Sequence, residues 1–295
     1  MSPPVQPPVA VIGVGHMGAA MAARLLDLAW PVIACDVVAE KVQALSVAGA
    51  MPAATPGLAA AQAAFTLICV VDAAQTRDVL FGPQGVVAQA PPGHCVLLCP
   101  TIGPDDVAGC AQRLAEQGIA MVDAPMSGGP ARARSGSMSL MLAGAPATLE
   151  RCHELVQALS DKVFVISSTP GDAARTKLVN NLLAAINLVG AAEALALAEQ
   201  LGLNLEHTLA VIEQSSGQSW IGSDRLRRAL AGDQSVRAHT TLLAKDSALA
   251  VQAARGVGFS GPLGEHAQAV FARAIHAGLG KQDDAAVFEL LRRKS

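Results

Sequence analysis

The chain has 295 residues, of which 52% are hydrophobic and 15% charged, and its formal net charge is −3. This length and apolar content fit two domains with a large core, and the composition excludes a disordered protein. Aromatic residues make up only 3% and no long basic run is present, so nucleic acid is not an expected partner. Residues 1–8 are proline-rich and lack the basic and apolar regions of a signal peptide, which predicts a short extended tail.

The cysteines bear on the compartment and on metal content. Six cysteines are spread along the chain without a Cys-x-x-Cys pair or a disulfide-type spacing. His94, Cys95 and Cys99 form the only cluster that resembles a metal site, but a buried strand explains them better because further ligands do not appear nearby. We therefore predict a reduced, cytoplasmic protein without a metal. The most apolar helical stretch, residues 182–197, is interrupted by polar residues, so we expect no membrane association.

A glycine-rich turn follows the first apolar run of the chain. Residues 9–12 are typical of a buried strand, and they lead into Gly13-Val14-Gly15-His16-Met17-Gly18 and then into a stretch rich in helix formers. In such a unit Gly13 permits the tight turn, Gly15 lets a pyrophosphate approach the backbone, and Gly18 lets the helix pack on the strand. The helix N-terminus also favours phosphate. The pattern predicts a dinucleotide site; the alternative is an ordinary strand–helix turn.

An acidic residue indicates which dinucleotide binds. The second predicted strand, residues 32–35, ends in Asp36, at the place where a carboxylate accepts hydrogen bonds from a ribose 2′-hydroxyl. A carboxylate there repels a 2′-phosphate, and Val37 and Val38 provide no arginine to hold one. Lys41 is the nearest cation and is interpreted as a solvated helix position. The sequence therefore predicts NAD as the cofactor, in preference to NADP.

The order of the remaining elements predicts the architecture. Strand-like runs at residues 65–71, 95–98, 120–123, 137–143 and 162–166 alternate with helical segments, which include residues 104–117 and 146–159. This alternation predicts a doubly wound, mostly parallel sheet of the Rossmann type. Beyond residue 168 helical periodicity dominates, beginning with a long segment over residues 173–201. We predict an α/β fold with an NAD-binding domain over residues 1–168 and an all-helical substrate and dimerisation domain over residues 169–295.

A lysine and an asparagine on one helix face predict acid–base chemistry. Lys177 and Asn181 are four residues apart, so they share a face of the long predicted helix. The neighbouring positions are apolar, and we expect desolvation to lower the pKa of Lys177 so that it exchanges a proton near neutral pH. Asn181 is suited to hold a substrate hydroxyl or a developing carbonyl. The alternative is a lysine that extends to solvent beside a structural asparagine.

Taken together, these motifs resemble those of the β-hydroxyacid dehydrogenase family, which includes 3-hydroxyisobutyrate dehydrogenase. The resemblance covers nearly the whole chain after the proline-rich tail. It is carried by the glycine-rich turn, by Asp123-Ala124-Pro125-Met126-Ser127-Gly128-Gly129, by the Lys177 and Asn181 segment, and by Lys245-Asp246.

The resemblance implies a role for each matching residue. Lys177 would be the general acid/base, and Asn181 would orient the reacting oxygen. Backbone N–H groups at Ser127, Gly128 and Gly129 would bind the substrate carboxylate, as successive amides at a glycine turn bind anions. Residues expected to contact the cofactor, besides those already named, are Val70, Val71, Asp72, Thr101 and Lys245. Outside this context, Lys245-Asp246 would be interpreted as a surface ion pair.

The sequence departs from the family pattern at three positions. Leu98 and Pro100 replace an acidic residue and a serine before Thr101, and Arg24 replaces an asparagine. The first two put one polar contact near the nicotinamide in doubt, whereas Arg24 is expected to affect packing.

The resemblance implies NAD-dependent oxidation of a short-chain hydroxy acid. The segment from Ser216 to Trp220 is similar to the L-threonate dehydrogenase branch, which favours a polyhydroxylated C4 acid. Trp220 would form part of the substrate rim; burial in a helix junction is the alternative. Arg132 and Arg134 are further carboxylate-binding candidates that we expect to be exposed.

Other activities stay open. They are 3-hydroxyisobutyrate dehydrogenase, tartronate semialdehyde reductase, an imine reductase of the same fold, and a non-catalytic nucleotide reader. The length and apolarity of the segment at residues 173–201 also predict a homodimer or homotetramer.

Overall fold

The structure, a computed structural model, describes residues 6–292. Residues 1–5 of the predicted tail and residues 293–295 of the predicted helical domain lie outside this range. The chain divides into two compact units between Lys177 and Leu178. The sequence placed the domain boundary nine residues earlier, where the strand-like runs end. In the structure the start of the long helix belongs to the first unit, because its backbone N–H groups bond to Asp123 of that unit.

The first unit is built on a single sheet. Its strand order is β3-β2-β1-β4-β5-β6-β8-β7, and β9 pairs with β8. Within the described residues the strands are Val9–Ile12 (β1), Val32–Cys35 (β2), Met51–Pro52 (β3), Phe65–Ile68 (β4), Cys95–Leu98 (β5), Ala120–Asp123 (β6), Met126–Ser127 (β7), Ser139–Ala143 (β8) and Lys162–Ser167 (β9).

Helices connect these strands and cover the sheet. Those of the first unit are His16–Asp27 (α1), Ala39–Val47 (α2), Pro56–Ala61 (α3), Ala73–Phe81 (α4), Pro104–Ala115 (α5), Gly129–Ser135 (α6), Pro146–Arg151 (α7) and His153–Leu159 (α8), with a 3₁₀ turn at Val86–Ala88. Two separate clusters of buried apolar side chains pack on the sheet. Burial on both faces explains why β1, β2, β4 and β5 read as continuous apolar runs without polar alternation.

The parallel strands end together at one edge. Ile12 is in register with Cys35 on one side and with Ile68 on the other, and Ile68 is in register with Leu98. Leu98 is in turn paired with Asp123. The segments that follow these residues therefore emerge side by side from the carboxyl edge of the sheet, where ligands bind in open α/β sheets.

The predicted α/β fold with a following helical region is confirmed, and its details differ in four respects. The strand predicted at residues 65–71 ends at Ile68, and the helix predicted at residues 146–159 is divided at Cys152. The short strands β3 and β7 were not predicted, because two residues carry no periodicity. β8 runs antiparallel to β6 and β7, so the sheet is mixed at this end.

The second unit is helical. Its elements continue from the helix Asp172–Gln200 (α9), which spans the division between the units, through Leu205–Glu213 (α10), Trp220–Leu230 (α11), Thr240–Gly256 (α12), Pro262–His276 (α13), a 3₁₀ turn at Asp284–Ala286, and Val287–Arg292 (α14). Phe271 and Phe288 are the largest fully buried side chains of this unit. They pack with residues of α9 such as Leu188 and Leu195 in one core cluster.

A network of buried ion pairs joins α11 to the 3₁₀ turn. Arg225 bonds to both oxygens of Asp284, and its Nη1 lies 2.5 Å from Asp224. Arg228 lies 3.2 Å from Asp283. Burial raises the pKa of Asp284 to about 6, although Arg225 acts in the opposite direction. Breaking such a pair by removing one partner leaves an uncompensated buried charge, so these arginines serve the fold of this unit.

Helix α9 is the one described helix that is long and apolar enough to span a membrane by length and composition. Its most apolar 18-residue window has a mean hydropathy of 1.6, and 44% of that window is buried within the protein. The core residues Ala185, Leu188, Ala192 and Leu195 account for much of this apolarity. A central helix of a helical core passes the same test, so its hydropathy alone does not indicate a membrane span.

Candidate active site

The glycine-rich turn between β1 and α1 leaves open space at its second glycine. Gly13 has φ +88°, and the amide of Gly13 donates to the Cys35 carbonyl at 2.9 Å. A Cβ added to Gly18 would lie 2.0 Å from the Gly13 carbonyl oxygen, whereas one added to Gly15 would meet no atom within 4 Å. Gly13 and Gly18 are therefore required by the backbone itself. Gly15 leaves space that a pyrophosphate can occupy, so the turn fits a dinucleotide.

The Asp36 carboxylate is held against this turn. Its Oδ2 accepts from the amide of Val14 at 2.8 Å, and its Oδ1 accepts from the amide of Val38 at 2.9 Å. A carboxylate has about four acceptor positions, so acceptor capacity remains for ribose hydroxyls. Val37, the residue after Asp36, is fully exposed, and Lys41 is exposed on α2.

The other predicted cofactor contacts of the first unit follow β4 and β5 at the same edge. Val70 is half-buried and Val71 is exposed. Asp72 is the cap residue before α4, and its Oδ1 accepts from the Gln75 amide at 2.9 Å. Asp72 therefore has a capping role in addition to its predicted contact. Thr101 is half-buried beyond the end of β5, while His16 and Met17 form the first turn of α1.

The predicted anion-binding turn lies beyond β6. Ser127 ends β7, and Gly128 and Gly129 have φ of +127° and +76°. A Cβ added to Gly128 would meet Arg132 Cδ at 2.8 Å, while Gly129 faces open space. The turn needs glycine at both positions and leaves the backbone accessible at Gly129. Arg134 is exposed and paired with Asp27, as expected, whereas Arg132 is half-buried.

Lys177 and Asn181 are both buried on α9. Their exposed fractions are 7% and 8%, so neither side chain extends to solvent as the alternative interpretation required. The Asn181 amide oxygen accepts from Asn180 at 2.9 Å, and its Nδ2 donates to Asp246 at 2.6 Å. Because Nδ2 carries two hydrogens, a second donor is available for an oxygen of a substrate.

The Lys245-Asp246 pair is a partly buried structural link. Asp246 is 8% exposed, and its two oxygens bond to different partners: Oδ2 to Asn181, and Oδ1 to the Lys245 ammonium at 2.7 Å. Within the second unit, one carboxylate therefore connects two predicted site residues. No separate function was predicted for Asp246, because a contact across 65 residues leaves no local pattern.

Trp220 lies in the turn at the start of α11, which packs on α9. Trp220 is 46% exposed at the start of α11, so it is not the core residue of the alternative interpretation. A Cβ added to Gly222 would meet Ala191 at 2.9 Å, which places this turn near the middle of α9. Ala191 is ten residues from Asn181, or about 15 Å along a helix. The contact of Trp220 with substrate stays a prediction.

The arginine that replaces a family asparagine has packing contacts. Arg24 Nε donates to the Ala158 carbonyl at 2.5 Å, and its guanidinium lies where a Cβ on Gly136 would be. Leu98, another departure, is fully buried at the end of β5.

The cysteine and histidine cluster is part of the sheet. His94 is buried; its Nε2 lies 2.8 Å from Thr66 Oγ1 and its Nδ1 lies 3.1 Å from the Ala63 carbonyl. Burial lowers the pKa of His94, and the two contacts use both ring nitrogens. Across residues 6–292, no group of three or more His, Cys, Asp or Glu side chains is placed to hold a metal ion.

Comparison with known families gives a match for each part of the chain. Residues 8–167 match the NAD-binding domain of 6-phosphogluconate dehydrogenase, and residues 171–291 match the NAD-binding domain of NADP-dependent 3-hydroxyisobutyrate dehydrogenase. Together the two matches cover most of the chain. The chain belongs to the 3-hydroxyisobutyrate dehydrogenase-like family.

Individual relatives are similar over nearly their whole length. L-threonate dehydrogenase of Cupriavidus necator is 36% identical over 96% of this chain and 95% of its own. NAD-dependent L-serine dehydrogenase of Pseudomonas aeruginosa is 33% identical over 96% of this chain and 97% of its own. A crystal structure of 3-hydroxyisobutyrate dehydrogenase from Salmonella typhimurium superposes with a TM-score of 0.90 at 33% identity, covering 96% of this chain and 99% of that one.

As a member of this family, the protein is an NAD(P)-dependent β-hydroxyacid dehydrogenase that acts on the CH–OH group of a small hydroxy acid. The matched descriptions include both NAD and NADP enzymes. The sequence-based expectation of the family, the fold and the enzyme class is confirmed. The individual site residues are not tested by these comparisons and stay predictions.

The two glycines should respond differently to alanine. In Gly18→Ala the new Cβ strikes the Gly13 carbonyl, so we expect a lower melting temperature and loss of dinucleotide binding. In Gly15→Ala the new methyl meets no protein atom within 4 Å, so we expect an unchanged melting temperature but weaker NADH binding. Calorimetry and NADH fluorescence titration measure the two effects. Wild-type NADH affinity in Gly15→Ala would show that the pyrophosphate does not approach Gly15.

Proposed function

We propose that this protein oxidises a short polyhydroxylated C4 acid such as L-threonate with NAD, using Lys177 as the general acid/base. The observation that carries the proposal is the burial of Lys177 and Asn181 one turn apart on α9. Burial makes a solvated structural lysine an unsuitable explanation. Among the relatives, 36% identity to an L-threonate dehydrogenase supports this choice of substrate.

In this proposal the chain's residues divide the work of binding and proton transfer. Backbone N–H groups at Ser127, Gly128 and Gly129 bind the substrate carboxylate. Asn181 donates from Nδ2 to the reacting oxygen, while its other N–H stays on Asp246. The Lys177 amine accepts the hydroxyl proton as the C–H bond breaks. When bound, the nicotinamide supplies the acceptor for the hydride.

Supporting residues prepare the site. Asp246 fixes the orientation of the Asn181 amide, because its carboxylate accepts only from the nitrogen end. Lys245, held by the same carboxylate, is proposed to lie over the cofactor, with Thr101 near the nicotinamide ribose. The pyrophosphate is proposed to lie at Gly15 and the N-terminal turn of α1, where backbone N–H groups favour phosphate.

We propose NAD as the preferred dinucleotide. The support is the Asp36 carboxylate, which is oriented by the amides of Val14 and Val38. Its remaining acceptor positions suit two ribose hydroxyls, whereas its charge opposes a 2′-phosphate.

We propose that two or four copies associate through the helical unit. The exposed residues Val179, Leu183, Leu197 and Leu201 lie in one stripe along α9 and are 58–70% exposed. The small residues Gly190 and Ala194 continue the stripe between them. An apolar stripe of this length is typical of a helix–helix interface. A cytoplasmic location, without nucleic acid or membrane partners, belongs to the same proposal.

The substrate and the role of Lys177 can be tested together. The wild-type enzyme is assayed by NADH formation with L-threonate, 3-hydroxyisobutyrate, L-serine and D-glycerate, and L-threonate should give the highest kcat/KM. With the best substrate, Lys177→Ala should lower kcat by about 10²- to 10⁴-fold, the usual contribution of a positioned proton-transfer group. NADH affinity should stay near wild type, because the glycine-rich turn is unchanged.

Asn181→Ala is the matched control for this experiment. It should lower kcat less than Lys177→Ala and keep the pH-dependent limb of the rate that Lys177→Ala loses, because it removes orientation and not the proton acceptor. Near-normal kcat with unchanged pH dependence in Lys177→Ala would mean that another group carries the proton. A higher kcat/KM for 3-hydroxyisobutyrate or L-serine would reassign the substrate.

Cofactor preference is tested at Asp36. Asp36→Ala removes hydrogen bonds to a charged group, each worth about 1.5–3 kcal/mol, so kcat/KM with NAD should fall about 10- to 100-fold. The kcat/KM with NADP should fall less than this or rise, because the charge that repels the 2′-phosphate is gone. Asp36→Asn, which can still accept from the Val14 amide, separates loss of charge from disturbance of the turn. An unchanged NAD-to-NADP ratio in both variants would show that Asp36 does not contact the ribose.

The interface is tested by introducing charge into the stripe. Leu197→Glu should convert the wild-type oligomer to monomers in sedimentation velocity at micromolar concentration, because a desolvated carboxylate has no partner there. Val257→Glu, at an 82% exposed position outside the stripe, should leave the oligomer intact. A monomeric wild-type protein would contradict the proposed assembly.

A further inference from the structure

The residue before helix α9 has no side chain with which to cap it. Gly171 precedes the helix with φ +103° and has no side chain. The first N–H groups of a helix have no acceptor within the helix, and a Ser, Thr, Asp or Asn side chain at the cap position usually accepts one of them. An acceptor for this buried helix start must therefore come from elsewhere in the fold.

Asp123, the last residue of β6, supplies that acceptor. Its Oδ2 accepts from the amide of Gly171 at 2.8 Å and from the amide of Ala174 at 3.0 Å. These are the two positions that a capping box satisfies within one helix, at the cap and three residues later. Here a single carboxylate does so from a sheet strand 48 residues away in sequence. Asp123 is 1% exposed, so it is closed to solvent.

The charge of Asp123 suits the helix end but is costly to bury. A negative charge at a helix N-terminus is favoured by the helix dipole, and the amides of Gly171, Ala173 and Ala174 stabilise the ionised form. Burial nevertheless dominates and raises the pKa of Asp123 to about 6. The carboxylate is therefore ionised at neutral pH and becomes protonated as the pH falls below about 6.

Several other groups face this carboxylate. Asp172, the first residue of α9, raises the pKa of Asp123 further by charge repulsion. Arg175, one turn later, is paired with Asp172 at 2.5 Å. Cys99 lies beyond β5, and its thiol is held neutral because a hydrogen bond with Cys69 and burial both raise its pKa. On β8 the paired residue is Ala143, which does not ionise.

The anchored position lies between two parts of the proposed site. Ser127 follows Asp123 by four residues, and Lys177 follows Ala174 by three. The hydrogen bonds of Asp123 therefore join the strand that leads to the carboxylate-binding turn to the helical turn before the acid/base. Asp123 is buried, and its Oδ2 already accepts from two backbone amides. It therefore acts on the substrate only through the segments that these bonds position.

We propose that Asp123 is a positioning residue that fixes the first turn of α9, and with it Lys177, relative to the turn at Ser127–Gly129. The inference rests on the proposed function, since it assigns Asp123 a role through Lys177. It predicts an effect on kcat with little effect on dinucleotide affinity, because β4 and β5 separate β1 and its glycine-rich turn from β6, which carries Asp123.

The experiment combines hydrogen exchange with kinetics on the full-length protein. In Asp123→Ala the amides at residues 171–174 should exchange faster by deuterium-uptake mass spectrometry, and kcat should fall by about 10- to 100-fold, the range expected for a displacement of about 1 Å. The NADH dissociation constant should stay within about twofold of wild type. Asp123→Asn keeps an acceptor oxygen, so it should restore most of the protection and part of kcat.

The pH profile gives a readout that a merely structural residue would not change. Wild-type kcat should fall as the pH decreases through about 6, where Asp123 becomes protonated. Asp123→Asn should lose this step and keep the separate limb that belongs to Lys177, because only the titrating carboxyl of Asp123 has been removed. The matched control Asp172→Asn removes a charge from the same helix turn and should keep the step but move it to lower pH, because it removes the repulsion that raises the pKa of Asp123.

The outcomes separate this inference from the proposed function. Unchanged exchange and unchanged kcat in Asp123→Ala would overturn the anchor and leave the role of Lys177 intact. Normal kcat in Lys177→Ala would overturn the proposed function, while deuterium uptake in Asp123→Ala would still decide whether Asp123 fixes the helix start. If Asp123→Ala does not fold, an acid-side pH dependence of kcat in Asp123→Asn that is identical to that of the wild type overturns the inference.

Discussion

The alignment of parallel strands at one sheet edge is the constraint on which the first unit depends. Interstrand hydrogen bonds hold Ile12, Cys35, Ile68 and Leu98 in register, so every chain segment that leaves the sheet here begins at the same level. The glycine-rich turn, Asp36 and the segments after β4 and β5 are neighbours for this reason alone. A shift of one residue in any strand would exchange its two faces and move its following segment away from the edge.

Features that depend on local sequence could be predicted. Gly13, Gly15 and Gly18 are recognisable because tight backbone geometry excludes side chains, and the apolar runs of β1 and β2 are recognisable because both faces are buried. Contacts between distant segments could not be predicted. Asp123 and Asp246 belong to recognisable motifs, but their contacts are not visible in the sequence, because only the fold brings amide or ammonium donors to their carboxylates. The antiparallel pairing of β8 was hidden for the same reason.

Buried carboxylates organise both units by the same physical means. Each accepts from at least one donor that is distant in sequence, and each would be costly to bury without its donors. Asp123 joins a strand to a helix in the first unit, and in the second unit Asp246 joins Asn181 to Lys245 while Asp284 holds Arg225. Such contacts are directional, so they fix positions more narrowly than apolar packing does. Proton transfer depends on correct placement of the acceptor, so a site of this kind is expected to be more efficient when directional contacts restrict the positions of its residues.

The proposed chemistry also explains how similar chains come to act on different acids. L-threonate, L-serine and 3-hydroxyisobutyrate, which appear in the names of the relatives, each contain a carboxylate and a hydroxyl. Backbone amides at a glycine turn bind any carboxylate, and a lysine amine accepts a proton from any suitably placed hydroxyl. These parts cannot discriminate among the acids. Discrimination must come from side chains that contact the remainder of the substrate, where polar groups left without a partner reject an analogue that lacks the matching hydroxyl.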